Sequence, residues 1–192
     1  MKQWTLASLK PVVEAIIFAS QGPVTMSHLR QALPDAPLEL IRQVIKTIER
    51  ECRQEHRGIE LVSVAKGYRF QTKSIYQRWV VKSVKRAGHR LSRAALETLA
   101  VIAYRQPVTR AEIEKIRGVD SSGTIKYLMA KKLIRISGRK DLPGRPLLYS
   151  TTNYFLEVFQ LSSINDLPGI HEMDSAFDNA RQIGLFDKKA IS

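Results

Sequence analysis

The chain has 192 residues, enough for one or two compact domains, and its 44% hydrophobic and 26% charged content is that of an ordinary globular protein. Its 31 basic and 18 acidic residues leave a formal net charge of +13, which favours nucleic acid or an acidic protein as partner. A single cysteine, Cys52, excludes an intramolecular disulfide and a thiolate metal cluster, and no segment reaches the roughly 18 apolar residues of a membrane span. A soluble protein of a reducing, cytosolic compartment is expected.

The first apolar run, Val12 to Ala19, has the length of a signal-peptide core. Glu14 interrupts it and no basic segment sits tight against it, so it reads as a helix. Its apolar stripe is unusually broad, which implies a second burial surface besides the core. After a short break comes Pro23-Val24-Thr25, where Thr25 can cap a second helix. The segment from Ala36 to Arg53 places Leu40, Ile41, Val44, Ile45 and Ile48 on one helical face, and Cys52 near its end reads as a small buried residue. IELVSVAKGYRFQTK then alternates on both sides of Lys66-Gly67 and predicts a hairpin.

Residues 73–90 carry Ile75, Trp79, Val80 and Val84 as one stripe, predicting a helix packed on the unit before it. From Leu61 to Arg90 there are eight basic residues and no acid. Beyond this stretch the opening pattern returns. Pro107-Val108-Thr109 repeats Pro23-Val24-Thr25 at an offset of 84 residues, again preceded by an apolar helix and followed by a short one. Glu112 completes a capping box with Thr109. Ser121 to Leu133 has helical spacing, and LIRISG and PLLYST read as strands joined by RKDLPGR. In that loop Pro143-Gly144 is the turn dipeptide, and Asp141 is expected to tie Arg139 or Arg145. After Pro168 the periodicity ends and the chain turns acidic.

Each unit therefore reads helix, helix, helix, hairpin. The expected fold is mainly α with small β-hairpins, an α+β architecture of two tandem winged-helix domains. The expected boundaries are 1–90, 91–168 and a flexible acidic tail, 169–192.

Catalytic motifs are missing. His28, His56, His89 and His171 lack metal-ligand spacing, and no phosphate-binding loop, nucleophile elbow or dinucleotide fingerprint occurs. No enzyme activity, cofactor or metal is expected.

ALETLAVIAYRQPVTRAEIE, the Arg117-Gly118-Val119 step and GRKDLPGRPLLY are distinctive runs. The stretch from Leu91 to Pro168 resembles the C-terminal half of the segregation and condensation protein B (ScpB) family. LKPVVEAIIFASQGPVT resembles that family's N-terminal domain more weakly. The resemblance implies a non-enzymatic homodimer, paired mainly through its N-terminal domain, that binds the kleisin ScpA. ScpA bridges the heads of the Smc ATPase in a bacterial condensin acting in chromosome condensation and partition. A cytoplasmic, nucleoid-associated location is implied.

On this footing Val12, Val13, Ile16 and Ile17 are the expected dimer contacts. Tyr104, Lys126, Tyr127, Arg139, Asp141 and Arg145 are the expected ScpA contacts, since aromatic and arginine residues are the types that dominate interfaces. The acid-free run predicts sequence-independent DNA affinity through Lys66, Arg69, Lys73, Lys82, Lys85, Arg86 and Arg90. The competing reading is a tandem winged-helix transcriptional regulator. It is weakened because the third helix of the second unit offers no outward Asn, Gln or Arg for base readout.

Overall fold

The structure, a computed structural model, describes residues 3–83 and 91–169. The chain divides into two compact units, Met1–Arg86 and Ala87–Ser192. Gly169 apart, the expected tail lies outside the described residues.

The first unit runs α1 (Leu6–Ala19), β1 (Val24–Thr25), α2 (Met26–Ala32), α3 (Leu38–Cys52), β2 (Ile59–Val64) and β3 (Gly67–Thr72). Thr5 and Ser8 form a capping box at the start of α1, and Thr25 accepts from the His28 backbone N–H at the start of α2. Leu9, Val13 and Ile17 line one side of α1 at intervals of four. They meet Ile41, Val44, Ile45 and Ile48 of α3 in the core. Each such burial is worth about 1.5–3 kcal/mol, and the core needs no other staple. Cys52 is buried at its edge, where burial pushes the thiol pKa up.

The three-residue Pro-Val-Thr runs are more than helix caps. β1 pairs antiparallel with β3, giving a three-stranded sheet of order β1-β3-β2 where the sequence suggests two strands. The hairpin turn is Ala65-Lys66, both at positive φ, which is the type I′ geometry of two-residue loops. Gly67 therefore lies in β3 and not in the turn. A Cβ there would stand 3.0 Å from the backbone of Pro23 and Val24, so glycine is what lets β1 approach.

After β3 a 3₁₀ turn (Ser74–Tyr76) leads into α4 (Gln77–Ser83). The expected helix exists but does not pack as predicted. None of its residues is buried, Ile75 is exposed, and Trp79 is 54% exposed. The cause lies in how the segment is held. Lys73 Nζ donates to the Gln54 carbonyl (2.6 Å) and the Tyr76 hydroxyl to the Glu55 carbonyl (3.4 Å), so the chain is fixed at the end of α3 and not on the core. The Trp79 ring is instead covered by the Arg78 guanidinium at 4.2 Å. Val84 lies outside the described residues.

The second unit repeats the order: α5 (Arg93–Arg105), β4 (Val108–Thr109), α6 (Arg110–Arg117), α7 (Ser122–Ala130), β5 (Ile134–Arg139) and β6 (Leu147–Thr151), followed by α8 (Asn153–Val158). Its sheet has the order β4-β6-β5, the same arrangement as the first. Leu99 and Ile102 of α5, Ile113 of α6, and Ile125 and Leu128 of α7 build the core, which α8 closes with Phe155 and Leu156. Arg117 is nearly buried and bridges α6 to α5, donating to Thr98 Oγ1 (2.6 Å) and Glu97 Oε2 (2.8 Å). Both units are winged helices, and the fold is α+β as the pattern predicts.

Candidate functional site

No helix among the described residues is long and apolar enough to cross a membrane, and no group of three or more His, Cys, Asp or Glu side chains among them could hold a metal ion. Cys52 is shifted up by burial, while Glu112 and Asp120 are shifted down by hydrogen bonds. The features with functional character are surfaces.

The first is the outer side of α1. Val13 and Ile17, expected at a dimer contact, are 0% and 2% exposed and belong to the core. Val12 and Ile16 are half-buried against it. Two residues of an α-helix span about 200°, so the stripe opposite Leu9, Val13 and Ile17 is Ala7, Pro11 and Ala15, and Phe18 returns to that side. All four are exposed, Phe18 to 79%, and none is charged. Pro11 cannot donate to the Ala7 carbonyl four residues before it, and both residues stand on this exposed side of the helix. The signal was in the sequence as a second four-residue spacing, offset by two from the first.

The second surface is the wing between β5 and β6. Arg145 N–H donates to the Leu142 carbonyl (2.8 Å) and Gly144 has φ +82, so Leu142–Arg145 is the expected Pro-Gly turn, of type II. The arginine ties differ from expectation. Arg139 donates to the Arg145 backbone carbonyl (3.1 Å), and among the described residues Asp141 pairs with neither arginine. The ion pair forms one position earlier, between Lys140 Nζ and Glu112 Oε1 (2.5 Å). Glu112 also accepts from the Thr109 N–H and hydroxyl, and Lys140 first, then Thr109, lowers its pKa to about 2. One carboxylate thus caps α6 and anchors the wing.

Lys126 and Tyr127 are exposed on α7, with Lys131 over the Tyr127 ring at 5.6 Å. Tyr104 is half-buried and its hydroxyl donates to the Pro168 carbonyl (2.5 Å), so it holds the chain after α8 and is not a free contact. Lys126 and Tyr127 lie on α7, and Arg139, Asp141 and Arg145 on the wing, of the same unit.

The basic stretch is only partly described. Lys66 is exposed at the hairpin tip and Lys82 on α4, Arg69 is half-buried, and Lys73 is committed to the end of α3. Lys85, Arg86 and Arg90 lie outside the described residues.

Comparison with known proteins converges. The family model described as "Segregation and condensation complex subunit ScpB" matches residues 11–170. A segregation and condensation protein B of Syntrophotalea carbinolica is 45% identical over 179 residues, 93% of this chain and 90% of the relative. The crystal structure of ScpB from Mycobacterium tuberculosis is 34% identical, covering 81% of this chain and 97% of that one, with a TM-score of 0.40. A crystallised dimer of a ScpB N-terminal domain complexed with a ScpA peptide is 31% identical, covering 41% of this chain and 98% of that one, with a TM-score of 0.37.

Proposed function

This chain belongs to the ScpB family of segregation and condensation complex subunits, and from that premise we propose that it is a non-catalytic, homodimeric adaptor that binds the kleisin ScpA and, through it, Smc. It acts in chromosome condensation and partition, in the cytoplasm and at the nucleoid. The observation that carries this reading is the family match across both winged helices. The relative crystallised as an N-terminal-domain dimer with a ScpA peptide supports the partner.

The dimer contact is the uncharged outer stripe of α1, Ala7, Pro11, Ala15 and Phe18, in place of the core residues Val13 and Ile17. An exposed phenylalanine on an uncharged helix face loses little when it meets its own copy and gains the burial of a large side chain. On the second unit, ScpA contacts Lys126 and Tyr127 of α7 and Arg139, Asp141 and Arg145 of the wing. The basic run from Leu61 to Arg90 adds a weak, sequence-independent affinity for DNA.

Light scattering on the eluting full chain tests the assembly. A dimer mass is expected for the wild type, a monomer mass for Phe18→Glu, and co-elution with ScpA from the same cell for the wild type. A monomeric wild type that ignores ScpA would contradict the proposal.

A further inference from the structure

The second wing leaves the body of its domain. Only Ile134 of the six β5 residues is buried, whereas β2, its counterpart, sends Leu61 and Val64 into the first core. Among the described residues β5 is bonded to β6 on one side and is the edge of the sheet on the other, so it presents a row of open backbone donors and acceptors. Arg135 and Arg139 stand on it, Arg145 at the turn beyond it, and Ile136 (43% exposed) and Leu142 among them. The neighbouring acids do not cancel this charge. Glu112 is taken by Lys140, and among the described residues Asp141 pairs with neither Arg139 nor Arg145.

We propose that the open edge of β5 receives an extended acidic segment of a partner polypeptide as a fourth strand, its carboxylates meeting Arg135 and Arg139. The inference rests on the adaptor reading, which makes the segment part of ScpA. Strand addition supplies affinity through main-chain bonds and specificity through alternate side chains. A second copy of β5 is disfavoured, because two such edges would set arginines against arginines. DNA is disfavoured because a phosphate chain offers no ladder to a strand and leaves Ile136 and Leu142 bare. Arginine mixed with apolar side chains is the composition of a protein interface.

The bulge adds a limit. Ser137 is the extra residue between Ile136 and Gly138, and its hydroxyl donates to the Leu148 carbonyl (3.3 Å) and accepts from Ser150 Oγ (2.9 Å). A bulge interrupts the edge, so a regular ladder runs only over Ile134–Ile136, and Arg139 meets the segment where it continues past the ladder. The edge thus takes a short strand and does not stack into longer sheets.

The test is amide hydrogen exchange on the full chain, alone and with ScpA from the same cell. Peptides covering Leu133–Gly138 should exchange about tenfold more slowly in the complex, and those covering Ile59–Val64 should be unchanged. Reversing Arg135 and Arg139 to Glu should weaken ScpA binding by about tenfold or more, with only a small fall in melting temperature, because both side chains are exposed and the lost bond, from Arg139 to the Arg145 carbonyl, is at the wing. If ScpA binds while β5 exchange and the reversed variant's affinity do not change, strand addition is overturned and the adaptor survives. If ScpA does not bind, both fall. Protection by a short duplex DNA instead of ScpA would assign the wing to phosphate. Protection rising with protein concentration alone would assign it to a second copy. Either result overturns the proposal.

Discussion

The two units share one order of helices and strands but spend their sheets differently. In the first, a two-residue turn closes β2 and β3 tightly, and β2 keeps Leu61 and Val64 in the core. In the second, a longer loop and a bulge carry β5 and β6 outward, with one ion pair at the base. The helices show the reverse contrast. α1 keeps an uncharged exposed stripe opposite its core side, whereas the start of α5 is covered by the pair of Arg93 and Glu97 (3.0 Å). A duplicated scaffold has thus been held constant in its core and varied where it meets solvent. The first unit thus exposes an uncharged helix stripe, and the second an edge strand that carries arginines.

The contrast can be broken from the inside out. Truncating Leu128, fully buried in α7, to Ala should cost about 2–5 kcal/mol, and Ile48→Ala in α3 should cost a similar amount, read from chemical denaturation. A large difference between the two would mean that the cores are not equivalent. Glycines should separate the sheets. Gly67→Ala forces a Cβ against the β1 backbone and should cost about 1–3 kcal/mol, while Gly138→Ala in the wing meets open space and should cost only a few tenths at most. Equal melting temperatures for these two variants would remove the argument that β1 is held by close approach.

The smallest effect is electrostatic and belongs to the second unit alone, since α2 has His28 where α6 has Glu112. The Glu112 carboxyl sits near 2 in the folded chain and near 4.3 unfolded, so its contribution is full above about pH 4.5. It is lost as the pH falls toward 2. The side chain is partly exposed, and solvent screening keeps the gain small. Glu112→Gln should lower stability slightly above pH 5 and flatten its fall over that window. An unchanged acid slope would separate the wing anchor from stability.

Much of this was legible in the sequence, for identifiable reasons. The repeated Pro-Val-Thr, the capping box at Thr109 and the Pro-Gly turn are local grammar, and local hydrogen bonds fix them wherever the chain goes. β1 and β4 were not legible as strands, because two residues carry no period. The inward side of α1 was ambiguous because LASLKPVVEAIIFA is apolar nearly all round, and only packing against α3 chooses the face. Lys73 read as a free cation, and its use as a clamp on the end of α3 depends on a contact across 19 residues. The stripe of Ile75 and Trp79 had correct helical spacing, yet spacing alone does not say whether a helix finds a surface to cover it.

The central claim, direct assembly with ScpA and Smc, is tested by pulling the full chain from a lysate of its own cell with and without nuclease. Retention of both proteins after nuclease is the predicted result. Their loss on nuclease treatment would mean that DNA, and not the two winged helices, holds the complex together.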